Sequence, residues 1–270
     1  MKERRIHTPE GVRDIYNGEC ARKSLMAERM KNVLKSYGYR DIQTPTFEFF
    51  DIFNQDKGSL PSNQMYKFFD REGNTLVLRP DITPSIARAV SKYFSEERFS
   101  MRFSYTGNVF INNSSLQGRM KESTQMGAEL IGDDSIDADA EMIALAIHLL
   151  LAAGLTEFQI DIGHVGFFEG LIEEAGMDAE KAQDLRELIE NKNFFGVEAM
   201  TGNPALIRLP KLFGSQEILK EAKRLTSNMK ALMAITRLER LYEIIGEYGL
   251  QKYVTFDLGM LTQYDYYTGV

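Results

Sequence analysis

Residues 107–132 read GNVFINNSSLQGRMKESTQMGAELIG. Strand-like texture covers residues 103–110 and again 124–131, with a polar connection between them. Side chains alternate along a strand, so Gln125, Gly127, Glu129 and Ile131 share one face and Met126, Ala128 and Leu130 the other. The second set can pack on a helix. Gln125 and Glu129 are separated by roughly 13 Å of extended chain. Gly127 between them carries no side chain and leaves the sheet surface open. That is a floor for a small ligand with polar groups at both ends. The other reading makes Gly127 a bulge and turns the two polar residues to water.

Outward from this stretch, residues 19–37 read as a helix, with Leu25, Met26, Met30, Val33, Leu34 and Tyr37 at three- and four-residue spacing and Gly38 as the stop. Ile42, Thr44 and Pro45 mark a short strand within residues 39–50. Residues 65–69 and 75–78 form a hairpin pattern around Asp70-Arg71-Glu72-Gly73-Asn74. Thr83-Pro84 reads as a helix start, threonine as N-cap and proline at the first helical position. Ser135 caps a further helix, with Asp137 and Asp139 in its first turn and Met142, Ile143, Ala146, Ile147, Leu150 and Leu151 as its apolar face. From about residue 166 helical texture dominates, and strand texture returns at 253–258 and 264–270. The domain reading is a core over residues 1–165, a helical insertion over 166–252 and a return to the core sheet over 253–270. The chain stops inside strand-like residues, which reads as a truncation.

Composition narrows the function classes. The chain has 270 residues, 43% hydrophobic content and a formal net charge of −7. An acidic chain makes a poor default partner for nucleic acid. Cys20 is the only cysteine, so no internal disulfide forms and a cytoplasmic setting is favoured. Residues 1–7 carry no signal-peptide core, and no apolar run is long enough for a bilayer. His7, His148 and His164 are scattered without metal-ligand spacing, so neither metal nor cofactor is expected. Asp133-Asp134 reads as a helix start, Glu173-Glu174 as a solvated face and His164 as a polar strand end. Met229 and Met233, one turn apart, read as core or interface filler. Cys20 reads as structural.

The order of motifs resembles histidyl-tRNA synthetases and their relatives along nearly the whole chain. Pro9-Glu10-Gly11-Val12-Arg13-Asp14 is similar to the entry motif P-x-G-x-R-D. Gly38 to Pro45 with Glu48 resembles motif 1 of class II synthetases, which builds their dimer interface. Leu78-Arg79-Pro80-Asp81-Ile82-Thr83 resembles L-R-P-E-x-T, and Asp265-Tyr266-Tyr267-Thr268-Gly269 resembles the histidine-specific D-Y-Y-T-G. Gly118, Arg119, Gln125, Gly127, Glu129 and Gly132 fit the frame around motif 2. The resemblance implies an α+β fold: a class II aminoacyl-tRNA synthetase-like antiparallel sheet flanked by helices, with a helical insertion.

The departures are chemical. Ile111 stands where the family has an ATP-gripping arginine, Asn113 where it has glutamate, and Thr262 where an arginine helps the amino-acid carboxylate. Motif 3 and the anticodon-binding domain would lie beyond Val270, so truncation alone accounts for their absence, whereas Ile111 and Thr262 are substitutions. This combination resembles the ATP phosphoribosyltransferase regulatory subunits, catalytically dead paralogues of the synthetases. The resemblance then implies no catalytic residues and a histidine site of Asp81, Thr83, Gln125, Glu129 and Tyr267. Glu129 and Tyr267 would meet the imidazole, and Asp81 and Thr83 the ammonium. Arg119 is either the group for the ligand carboxylate or a surface ion-pair residue. Implied partners are a short-form ATP phosphoribosyltransferase catalytic subunit, histidine as effector, and a second copy in a homodimer within a hetero-oligomer. Nucleic acid and membrane are not expected. A histidyl-tRNA synthetase fragment and a stand-alone histidine-binding module are the rival readings.

Overall fold

The computed structural model describes residues 6–54, 60–113, 118–261 and 270. The chain divides into two compact units, residues 1–133 and 134–270.

The first unit opens with α1 (Asn17–Ser36), stopped at Gly38, whose φ of +82° only glycine adopts freely. Within α1 only Leu34 is buried, and Leu25 and Met26 of the expected apolar stripe are exposed. Then follow β1 (Arg40–Asp41), β2 (Phe47–Phe49), β3 (Lys67–Phe69) and β4 (Thr75–Leu78). No strand forms at Thr44: β1 ends at Asp41 and belongs to another sheet, β2 begins at Phe47 and pairs with β4, and Pro45, which cannot donate to a ladder, lies between them. β3 and β4 pair as the hairpin the turn residues predict, and β2 pairs antiparallel on the other edge of β4. On one face of this sheet Val77 is sealed with Phe53 and Met65. The other face leaves Phe47, Phe49 and Phe68 exposed.

After α2 (Thr83–Tyr93) come the two long strands, β5 (Met101–Phe110) and β6 (Glu122–Ile131). They pair antiparallel over ten residues without a bulge, from Met101 opposite Ile131 to Phe110 opposite Glu122. β1 adds to β5 in parallel. Ile82, just before α2, and Ile86 within it bury with Tyr105 and Val109 of β5, packed against Phe103 and Ile131. Those strand residues share the face of Gln125 and Glu129, so α2 lies on that face. On the opposite face Lys23 of α1 donates to Thr124.

The second unit begins with α3 (Ile136–Ala153), capped by Ser135, whose hydroxyl accepts from Ala138 N at 3.1 Å. It buries Ala138, Ala140, Ala144, Leu145 and Ile147; the larger residues expected on its apolar face are, Ile147 apart, only half-buried. Next are β7 (Ile160–Ile162), α4 (Val165–Ala175), α5 (Ala179–Glu190), α6 (Phe194–Met200), α7 (Pro204–Arg208), β8 (Phe213–Gly214), α8 (Glu217–Arg224), α9 (Met229–Glu247) and β9 (Val254–Asp257). β7 and β9 pair in parallel, and β8 joins β9 antiparallel. One apolar core runs through these helices, from Ile147 and Phe167 to Ile235, Leu241 and Phe256. Met229 and Met233 are 70% and 65% exposed, so they are not core. Glu173 and Glu174 do more than face water: Glu174 accepts from Ser227 N, and Glu173 pairs with Lys230, tying α4 to the start of α9. Cys20 is exposed on α1.

Candidate functional site

Four of the residues expected at the site come together in the first unit. Thr83 is the first residue of α2, not its cap: the N-cap is Ile82, with no side-chain cap bond. The Thr83 hydroxyl instead donates to Glu129 Oε1 at 2.7 Å. Asp81, just before the helix, accepts from Ile82 N at 2.7 Å and from Gln125 Nε2 at 3.0 Å, both at Oδ1. The helix start is thus stitched to β6 at two points on one strand face.

The space over Gly127 is not open. Tyr105 lies opposite Gly127 in the ladder, and its hydroxyl oxygen is 2.3 Å from where a Gly127 Cβ would sit. Glycine is required because the Tyr105 ring occupies that space. Tyr105 is buried, and its hydroxyl is a further donor to the Glu129 carboxylate. Sequence reasoning missed this residue. The signal was present: once β5 and β6 are in register, the odd-numbered residues of both strands share a face.

Burial raises the Glu129 carboxyl above its ordinary pKa, the Thr83 bond opposes that, and the nearby Asp81 charge raises it further. Neither Asp81 nor Glu129 forms a salt bridge to a described residue. Gln125 Oε1 is buried without a partner, and Asp81 Oδ2 accepts nothing among the described residues. Two carboxylates and an amide oxygen therefore converge with fewer donors than acceptors. Such an arrangement suits a cationic, donor-rich group such as an ammonium.

Arg119 is exposed, beyond the last rung of the β5–β6 ladder, and shares no hydrogen bond or ion pair with the four. Tyr267 and Thr262 lie outside the described residues. Ile111 follows β5 directly, and its N–H bonds Lys121 O. A separate open cleft of about 670 Å³ lies along Arg13, Asp14, Glu19, Arg22, Lys23 and Glu122. Its acids and bases balance, and it reaches none of Asp81, Thr83, Gln125 and Glu129. No cluster of metal-ligating side chains and no helix long and apolar enough to cross a membrane occurs among the described residues.

His164 is not a strand-end residue but the N-cap of α4. Its Nδ1 accepts from Gly166 N at 3.1 Å, so that nitrogen carries no proton. Burial and the Arg237 charge hold its pKa below the ordinary value.

The helix-flanked, mostly antiparallel architecture with an acceptor-rich face on β6 is of the histidyl-tRNA synthetase type, and the family model for histidyl-tRNA synthetase matches residues 11–270. Proteins named ATP phosphoribosyltransferase regulatory subunit from Acetivibrio thermocellus and Ruminiclostridium cellulolyticum are 40% and 42% identical to the chain. Each alignment covers 100% of this chain and 66% of the relative, so the chain spans about two thirds of their length. A crystal structure from Bacillus halodurans C, described as an ATP phosphoribosyltransferase regulatory subunit/histidyl-tRNA synthetase, matches with a TM-score of 0.91 at 35% identity. That match covers 99% of this chain and 72% of the other. The chain belongs to the histidyl-tRNA synthetase family and, within it, to the ATP phosphoribosyltransferase regulatory subunits.

Proposed function

We propose that the chain is a non-catalytic cytoplasmic subunit that activates a short-form ATP phosphoribosyltransferase and binds histidine as the feedback signal. The observation that carries the histidine part is the cluster of Asp81, Gln125, Thr83 and Glu129, with acceptors left unmatched. An ammonium between Asp81 and Gln125 supplies the missing donors. An imidazole N–H at Glu129 gains a charge-assisted bond in a half-buried setting. Feedback through such a site requires two states of the assembly with different histidine affinity, and the coupling is reciprocal.

Ile111 in place of an arginine supports the absence of amino-acid activation. Fixed positive groups stabilise the charge that develops in adenylyl transfer, and losing one typically costs ~10²–10³ in rate. Histidine-dependent ATP–pyrophosphate exchange should therefore stay at background in a preparation free of synthetase. Exchange above background would favour a synthetase activity instead.

The exposed aromatic face of β2–β4–β3 supports a homodimer formed through the motif 1 region. The decisive experiment for the whole reading is co-expression with a short-form phosphoribosyltransferase. Co-purification, activation of the partner and inhibition of the complex by histidine are expected. A chain that neither binds histidine nor changes the partner's rate would sink it.

A further inference from the structure

Arg79 follows β4 and is buried, at 7% exposure. Its Nε donates to Asn108 O at 2.8 Å, and its Nη1 to Thr44 O at 3.0 Å and Pro45 O at 3.3 Å. These bonds hold the guanidinium rigidly. Nη2 has no hydrogen-bond partner among the described residues, and no described carboxylate neutralises the charge. Nor is Nη2 among the polar atoms sealed from solvent without a partner. A buried cation with only neutral carbonyls around it is incompletely satisfied.

The direction of Nη2 gives it a meaning. It lies 2.3 Å from where a Gly107 Cβ would sit, with Cζ at 3.1 Å. Gly107 is directly opposite Gln125, and opposed residues of an antiparallel pair point to the same face. The free edge of the guanidinium therefore lies over the Gly107–Gln125 rung, on the face that carries Glu129. The next rung on that face is Tyr105–Gly127, and Glu129 is one rung further on. Along one strip the charges run from the Arg79 cation, past Asp81 held on Gln125, to Glu129 held on Thr83.

We propose that Arg79 binds the carboxylate of the amino-acid ligand, so that the strip recognises a zwitterion and not merely a cation. This rests on the histidine reading given above. It supplies the positive charge that a threonine at position 262 lacks and that Arg119, exposed beyond the ladder, does not offer from its position here. It also accounts for Gly107, since any side chain there would push Nη2 off the rung.

The test compares histidine with histamine, which keeps the imidazole and the amine and lacks the carboxylate. Calorimetry on the wild-type full chain should show histidine binding roughly ten- to a hundredfold tighter than histamine, the range of one charge-assisted contact. In Arg79→Met that preference should collapse, with histidine weakened and histamine little changed. Equal weakening of both ligands would make Arg79 a strand clamp only and overturn the proposal. Should Arg79→Met not fold, arginine side-chain NMR on the wild type decides. The Arg79 Nη resonances should shift with saturating histidine and not with histamine, and no shift with histidine overturns the proposal. If the wild type binds neither ligand, the histidine reading itself fails, and the Arg79 role with it.

Discussion

The Thr83 hydroxyl lies 2.7 Å from Glu129 Oε1, so the first residue of α2 holds a strand carboxylate and leaves its own helix uncapped. Glu129→Gln keeps the size of that carboxylate and removes its charge. Histidine binding should weaken roughly ten- to a hundredfold, while activation of the phosphoribosyltransferase persists. Calorimetry and an activity assay across histidine concentrations check this. Unchanged affinity in a folded variant would remove Glu129 from the site.

The same carboxyl makes a prediction for the ligand-free chain. Its pKa is raised in the fold, so the folded state favours the neutral acid. Its contribution to stability is then greatest below the unfolded pKa and falls as pH rises through the folded one. At neutral pH Glu129→Gln should be the more stable protein without ligand, and the difference should shrink in acid. Denaturant unfolding at pH 7 and pH 4 measures it. Unchanged stability at both pH values would count against the buried charge.

Gly127→Ala would place a methyl group 2.3 Å from the Tyr105 hydroxyl and 2.4 Å from Cζ. The ring must move, at a cost of about 1–3 kcal/mol, and its hydroxyl leaves Glu129. The expected result is a lower denaturation midpoint together with weaker histidine binding. A variant as stable as wild type would mean that the ring relocates freely.

Phe47 and Phe49 are 51% and 55% exposed, and Phe47 meets Phe68 edge to face at 5.7 Å. If two copies join through this face, Phe49→Lys should shift the protein to monomer in sedimentation at micromolar concentration without changing its helical content. A wild-type monomer under those conditions would exclude a stable dimer of this kind.

His164 holds the start of α4 through an unprotonated Nδ1. Its lowered pKa means that the stability it contributes is present above its ordinary value of 6.5 and is lost as pH falls through the folded value. The charged groups acting on it are Arg237, Asp139 and Glu169. His164→Asn keeps a capping acceptor and cannot titrate, so its thermal stability should vary less between pH 7.5 and pH 5 than that of wild type. An unchanged pH profile would assign the acid sensitivity elsewhere.

The long strands were legible in the sequence to within two residues at their starts, because alternation and β-branched residues are local signals. Side-chain partners were not. Thr83 before a proline has every local mark of a cap, and the carboxylate that captures it lies 46 positions away. Gly127 looked like a vacancy because its filler, Tyr105, sits on another strand whose register the sequence left open. In α3 the sequence pointed to large residues as the buried face. The helix buries Ala140 and Ala144 completely instead, since small side chains allow the close packing on α9. Arg79 was visible only as part of a motif; its unused edge is a property of three dimensions.

The parallel pairing of β7 with β9 sets an order in time. Ile160 meets Val254 and Ile162 meets Phe256, but α4 through α9 intervene along the chain. As the polypeptide leaves the ribosome, β7 emerges long before its neighbour exists. The helices, built on nearby contacts, can assemble meanwhile. Until β9 arrives, the pairing edge of β7 is unoccupied and open to a wrong strand. Asp161 on that strand, accepting from Thr255 once the right strand docks, sets an exposed charge beside the open edge, where charged side chains discourage wrong pairing.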